Sequence, residues 1–163
     1  MVEFIFSVRD EPPEDGYSLG DLHLIGNAGS VNTWDATYPD QRMMVYPSAA
    51  DLLSEIRLLV ERRKGETTFE GIGSMFTVTF SLQKRMVETW YKRTKIDTAP
   101  LAEFLNAAVG SAKNLLDHGA IAVRENRTVL DSLRGKIEFY EAWQQSIENS
   151  QRIGSQKGKR DRE

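Results

Sequence analysis

The chain has 163 residues, 40% of them hydrophobic and 28% charged, with a formal net charge of −3 and no cysteine. That length and composition belong to one globular domain large enough to bury its own core. Without cysteine there is no disulfide framework, thiolate metal site or cysteine nucleophile, which suits a reducing cytosol.

The N-terminal MVEFIFSVRDE has no basic stretch ahead of its short apolar run, so it does not resemble a secretion signal, and no stretch approaches the ~18 apolar residues of a membrane span. Val2, Phe4, Phe6 and Val8 alternate with Glu3, Ile5 and Ser7, which predicts a first strand with one face on a core. Pro12, Pro13 and Gly16 break it, and Leu22 and Leu24 restart the alternation. The turn cluster Gly26–Ser30 leads to a strand holding Val31 and Trp34, and Met43–Tyr46 reads as a further short strand. Pro47 stops that strand, and Ser48 with Asp51 forms a capping box ahead of a helix striped by Leu52, Leu53, Ile56, Leu59 and Val60. Gly65 is its natural end.

Phe76, Val78, Phe80 and Leu82 alternate with polar residues, and the run from Val87 to Arg93 completes a hairpin. Thr98 ahead of Pro100 reads as the cap of a second helix, whose stripe runs Leu101, Phe104, Leu105, Ala108, Val109, Ala112, Leu115, Leu116 and ends at Asp117-His118-Gly119. A third helix is predicted from about Ala122 to about Ser150, with Leu130, Leu133, Ile137, Tyr140 and Ile147 in one narrow line suited to packing on another helix or a second subunit. Gly135 weakens it locally. The predicted organisation is a single domain over 1–152 followed by a disordered charged tail, 153–163. The expected fold class is α+β: an antiparallel sheet of about five or six strands with three helices packed mainly on one face.

Only two histidines, His23 and His118, are present, and they are poorly placed as a catalytic pair. His23 lies between two buried-face leucines and points the other way, whereas His118 sits at a helix end where the dipole favours it. No metal-ligand spacing occurs, and Pro12 and Pro13 keep the acids beside them from wrapping a calcium ion. The glycines of Gly71–Ser74 and of Gly26–Ser30 fit turns, not phosphate loops, so no cofactor is expected. In Trp90–Lys95, Arg93 and Lys95 stand beside aromatics, but a solvated strand face explains them as well as a nucleic-acid site does.

The informative asymmetry is in the charge. Residues 1–40 hold eight acids, Glu3, Asp10, Glu11, Glu14, Asp15, Asp21, Asp35 and Asp40, against Arg9, whereas the last eleven residues are net basic. Such a region repels phosphate and suits a cationic partner. The segment Thr33–Ser48 adds aromatics to acids and an arginine, the mixture that interface hot spots favour. The candidate partner-binding residues are therefore Asp10, Glu11, Glu14, Asp15, Trp34, Asp35, Tyr38, Asp40 and Arg42. The competing explanations are a solvated loop for the N-terminal acids and, for Thr33–Ser48, Trp34 and Tyr46 in the core with Asp35 and Asp40 shaping turns.

In size, acidity, absence of cysteine and order of elements the chain resembles the small immunity proteins of bacterial polymorphic toxin systems. The resemblance is one of architecture and carries no diagnostic motif. It implies a non-enzymatic, stoichiometric inhibitor whose acidic surface covers a basic protein partner; composition and charge add a cytoplasmic setting, no membrane partner and a surface unsuited to nucleic acid. The alternative is a small-ligand-binding domain or small enzyme with a cleft near residues 23–46, served by His23, Asp35 and Arg42. A homodimer formed through the C-terminal helix is a third possibility.

Overall fold

The computed structural model describes residues 2–9, 15–34 and 40–160, with residues 147–160 described by backbone alone. The chain is α+β, with three helices and two four-stranded antiparallel sheets. In the first sheet β1 (Glu3–Val8) pairs with β2 (Leu19–Ile25), which pairs along its other edge with β3 (Ser30–Asn32) and the short β4 (Met43–Met44). The second is a meander of β5 (Gly65–Glu70), β6 (Thr77–Gln83), β7 (Met86–Tyr91) and β8 (Thr94–Pro100).

Two sheets replace the expected single sheet of five or six strands. The strands not foreseen, β5 and β8, each bury only one large apolar side chain, Phe69 and Ile96, beside short or polar ones, Thr67 in β5 and Asp97 and Ala99 in β8. Their apolar alternation is too thin to read. The sheets meet where the β2–β3 turn docks on β8: the Ala28 N–H donates to the Ile96 carbonyl at 2.9 Å and the Asn27 N–H to Asp97 Oδ1 at 2.8 Å. Glycine is required at 26, because a Cβ there would lie 2.1 Å from the Ile96 oxygen.

The hairpins of the second sheet are local. Gln83 faces Met86 across a two-residue turn in which Lys84 and Arg85 both have positive φ, the conformation whose twist matches the flanking strands.

Helix α1 (Val45–Arg62) begins earlier than expected, so Val45 and Tyr46 are helical rather than the end of a strand. Its start has no side-chain cap, and Pro47 sits in the first turn, where its missing N–H is no loss. Ser48 is not a cap. It is buried, and its hydroxyl accepts the Ile72 N–H at 2.9 Å. The helix ends on Arg63 in the left-handed conformation, and Gly65 instead opens β5.

Helix α2 (Leu101–Ala122) is capped by Pro100, while Thr98 belongs to β8. It runs through Asp117-His118-Gly119, and Gly119 lets the Tyr46 ring pack against the helix backbone. Residues 123–127 turn the chain into α3 (Thr128–Arg160), which starts later than expected and includes most of the segment expected as a tail. Leu130, Leu133, Ile137 and Tyr140 are buried, and α3 packs on both α1 and α2. The Tyr140 hydroxyl donates to the Leu53 carbonyl of α1 at 2.6 Å, and burial raises its pKa.

The core joins both sheets to α2 through Phe4, Phe80 and Phe104, whose ring centroids lie 5.1–6.3 Å apart. Burying each such ring stabilises the fold by about 2–3 kcal/mol. No helix among the described residues is long and apolar enough to cross a membrane.

Candidate partner-binding site

The N-terminal acids fall into different environments. Asp10, Glu11, Glu14, Asp35 and Tyr38 lie outside the described residues. Asp15 is a tether: its Oδ1 accepts the Asn126 side-chain N–H at 2.8 Å and the Tyr17 N–H at 2.9 Å, while the Gly16 N–H donates to the Glu125 carbonyl. Those bonds, the Asn126 one first, hold the carboxyl below its usual range. They join the segment after β1 to the α2–α3 connection.

Arg9 organises the next group. Its guanidinium donates to both oxygens of Asp21, at 2.8 Å each, and to both oxygens of Asp40, at 2.8 and 2.7 Å. Thr33 donates its hydroxyl to Asp21 at 2.6 Å and accepts the Leu22 N–H at 3.2 Å. Burial pulls the Asp21 carboxyl upward, but the bonds from Arg9 and Thr33 outweigh it and leave the carboxyl below its ordinary value. Asp40 is also lowered, by Arg9 first and then by the Arg42 N–H. This double fork ties the chain around Asp40 to the end of β1 and fixes its position.

Trp34 is 49% exposed and meets the His23 ring edge-on at 5.2 Å, whereas Tyr46 is fully buried. The two aromatics that the sequence left open are thus divided, one at the surface and one in the core. Arg42 is exposed, with its guanidinium 3.7 Å from Asp40. Of the three suspects for a catalytic cleft, His23 meets Trp34 edge-on, Arg42 faces Asp40, and Asp35 lies outside the described residues. In Trp90–Lys95, Glu88 engages the Trp90 N–H at 3.1 Å and the Lys95 ammonium at 2.7 Å.

Asp40 also lines a cleft of about 740 Å³ that sequence reasoning missed. Its walls come from α1, which supplies Asp51 and Glu55, from the end of β5, which supplies Glu70, and from the loop 71–76. The two helix acids are one turn apart and share a face. The loop is held from several sides. Ile72 bonds Ser48 and the Met44 N–H, the Gly71 N–H donates to the Phe76 carbonyl, and the Ser74 hydroxyl donates to the Gln41 carbonyl at 2.6 Å. It presents Met75, 85% exposed, and the partly exposed Ile72 beside the carboxylates.

Glu55 accepts a hydrogen bond from the Thr67 hydroxyl, while Asp51 and Glu70 have no ion pair among the described residues. The Asp51 carboxyl is raised above its usual value, by burial first and then by Glu55, against the pull of Lys136. Among the described residues no three carboxylates or histidines are grouped to hold a metal ion. What the cleft can accept is a lysine or arginine whose stem lies on Ile72 and Met75 and whose head meets the acids. The i, i+4 acids on the polar face of a predicted helix were a visible signal. Their meeting with Glu70 was not, because the Glu70 strand was not recognised.

Comparison with protein-family models, with curated proteins and with solved structures finds no match to this chain.

Proposed function

We propose that the chain is a non-enzymatic binding protein that engages a basic protein partner and blocks it stoichiometrically, in the manner of an immunity protein. The observation that supports this reading is the cleft lined by Asp51, Glu55 and Glu70, whose carboxylates have no ion pair among the described residues, on a hydrogen-bonded frame beside exposed Ile72 and Met75. Frame rigidity matters because little ordering entropy is then lost on binding. Uncompensated acids raise the rate of encounter with a basic surface and discriminate against acidic ones. Trp34 and Arg42, both exposed, offer a ring and a cation in the segment after β3.

The test is affinity capture of the tagged chain from lysate of its own cells, at low and moderate salt, with wild type beside an Asp51→Lys, Glu70→Lys variant. One dominant basic protein should be recovered stoichiometrically by wild type, less of it at the higher salt, and none by the variant. Equal recovery by both chains, or no partner at either salt, overturns the proposal.

A further inference from the structure

We infer that the outer edge of β1 is a second recognition surface, built to take an extended peptide segment as an added strand. Among the described residues β1 pairs only with β2, and none of them forms a strand on its other edge.

The phase of the ladder shows which groups face outward. The Arg9 N–H donates to the Leu19 carbonyl, and the register runs from Glu3 opposite Ile25 to Val8 opposite Gly20. On the far side of β2 the Leu22 carbonyl accepts the Thr33 N–H, so Leu22 turns its backbone away from β1. Odd-numbered residues of β1 therefore bond β2, and the N–H and C=O groups of Phe4, Phe6 and Val8 point to the open edge.

That edge faces a groove of about 470 Å³ lined by all six residues of β1 and by Ser111, Asn114, Leu115 and His118 of α2. Those four occupy one face of the helix and form the opposite wall. Strands that end a sheet are usually protected by lysine, proline, a bulge or a covering helix; β1 has none of the first three, and α2, which packs against it, still leaves this groove beside it.

Only another extended backbone can satisfy donors and acceptors at three alternate residues together. A second copy of this chain does not fit as that strand. α2 packs against β1 and walls the groove, so a second copy pairing through its own β1 would bring its own α2 against this one. A bare segment of a partner has no such helix. Glu3 is exposed, and apart from His118 it is the only ionisable residue of the groove, so the segment that fits has apolar residues at alternate positions and a basic residue beside Glu3. The groove shares no residue with the acidic cleft, and the inference stands whether or not the cleft binds a partner.

The experiment begins with amide hydrogen exchange of the free chain, in which Phe4, Phe6 and Val8 should exchange faster than Ile5 and Ser7. Twelve-residue peptides are then selected from a random display library on the full chain. Selected peptides should slow exchange at Phe4, Phe6 and Val8 and should carry lysine or arginine at one end of an alternating apolar run. N-methylation of a single peptide residue should weaken binding about fivefold in one phase and hardly at all in the other, since a lost backbone bond is worth about 1 kcal/mol. Equal protection of odd and even residues in the free chain, a selection that yields no binders, binding that leaves those three amides unchanged, or a concentration-dependent dimer that alone protects them would each overturn the inference.

Discussion

Two groups of carboxylates in this molecule have opposite electrostatic fates. Asp21 and Asp40 are gripped by one arginine and held below the ordinary carboxylate range, whereas Asp51, near Glu55 and Glu70, is raised. The first group spends its charge inside the fold, locking a segment onto a strand. The second has no cation forked onto it, and Asp51 is disfavoured as an anion by burial first and then by the nearby Glu55. An acidic composition alone therefore does not locate a binding surface. What matters is which acids lack a cation of their own.

The sharpest way to break this comparison is to remove the shared cation. Arg9→Met should cost about 2–3 kcal/mol in chemical denaturation, because it leaves Asp21 buried without its ion pair. The same variant should change the response to acid. Lowered carboxyls add stability that is present above about pH 4 and is lost as pH falls through their folded-state pKa, so the stability of Arg9→Met should decline less steeply there than wild type. A smaller effect, about 1–2 kcal/mol, is expected for Thr33→Val, which keeps the shape but removes the hydroxyl that serves both Asp21 and the Leu22 N–H.

The other group should behave in the opposite sense. A raised carboxyl opposes stability as pH rises through its folded-state pKa, so Asp51→Asn should leave the protein equally stable or stabilise it by about 0.5 kcal/mol near neutral pH. Carboxyl titration followed by NMR should give Asp51 a higher midpoint than Asp21, and the reverse order would remove the basis of the contrast. The smallest change is expected for Glu70→Lys, within about 0.5 kcal/mol of wild type in thermal unfolding, even though it places a cation in the cleft.

Much of the secondary structure was legible because its signals are local. The α2 stripe from Phe104 to Leu116 is buried as a helix-spaced line, and the β6–β7 hairpin follows from alternating apolar residues around a short turn. Where the signal was misread, a distant contact had changed the meaning of a residue. Ser48 has the spacing of a cap but bonds a loop 24 residues away, and Asp97 occupies a fully buried strand position because the Asn27 N–H reaches it from the other sheet.

The candidate surface was legible only in kind. Acidity and exposed aromatics could be counted, and Trp34 proved exposed, but nothing local tells Asp15 from Glu70. The first is occupied by Asn126, more than a hundred residues on, and the second stands open where β5 meets α1.

By itself the sequence determined the helix stripes, the turns and the excess of acid near the N-terminus, since these depend on periodicity and composition. Only the tertiary structure decided how many sheets form, which acids are neutralised and which strand edge stays free. Those outcomes are pairings between residues far apart in the chain, and their energies depend on burial and on distance, neither of which exists until the chain has folded.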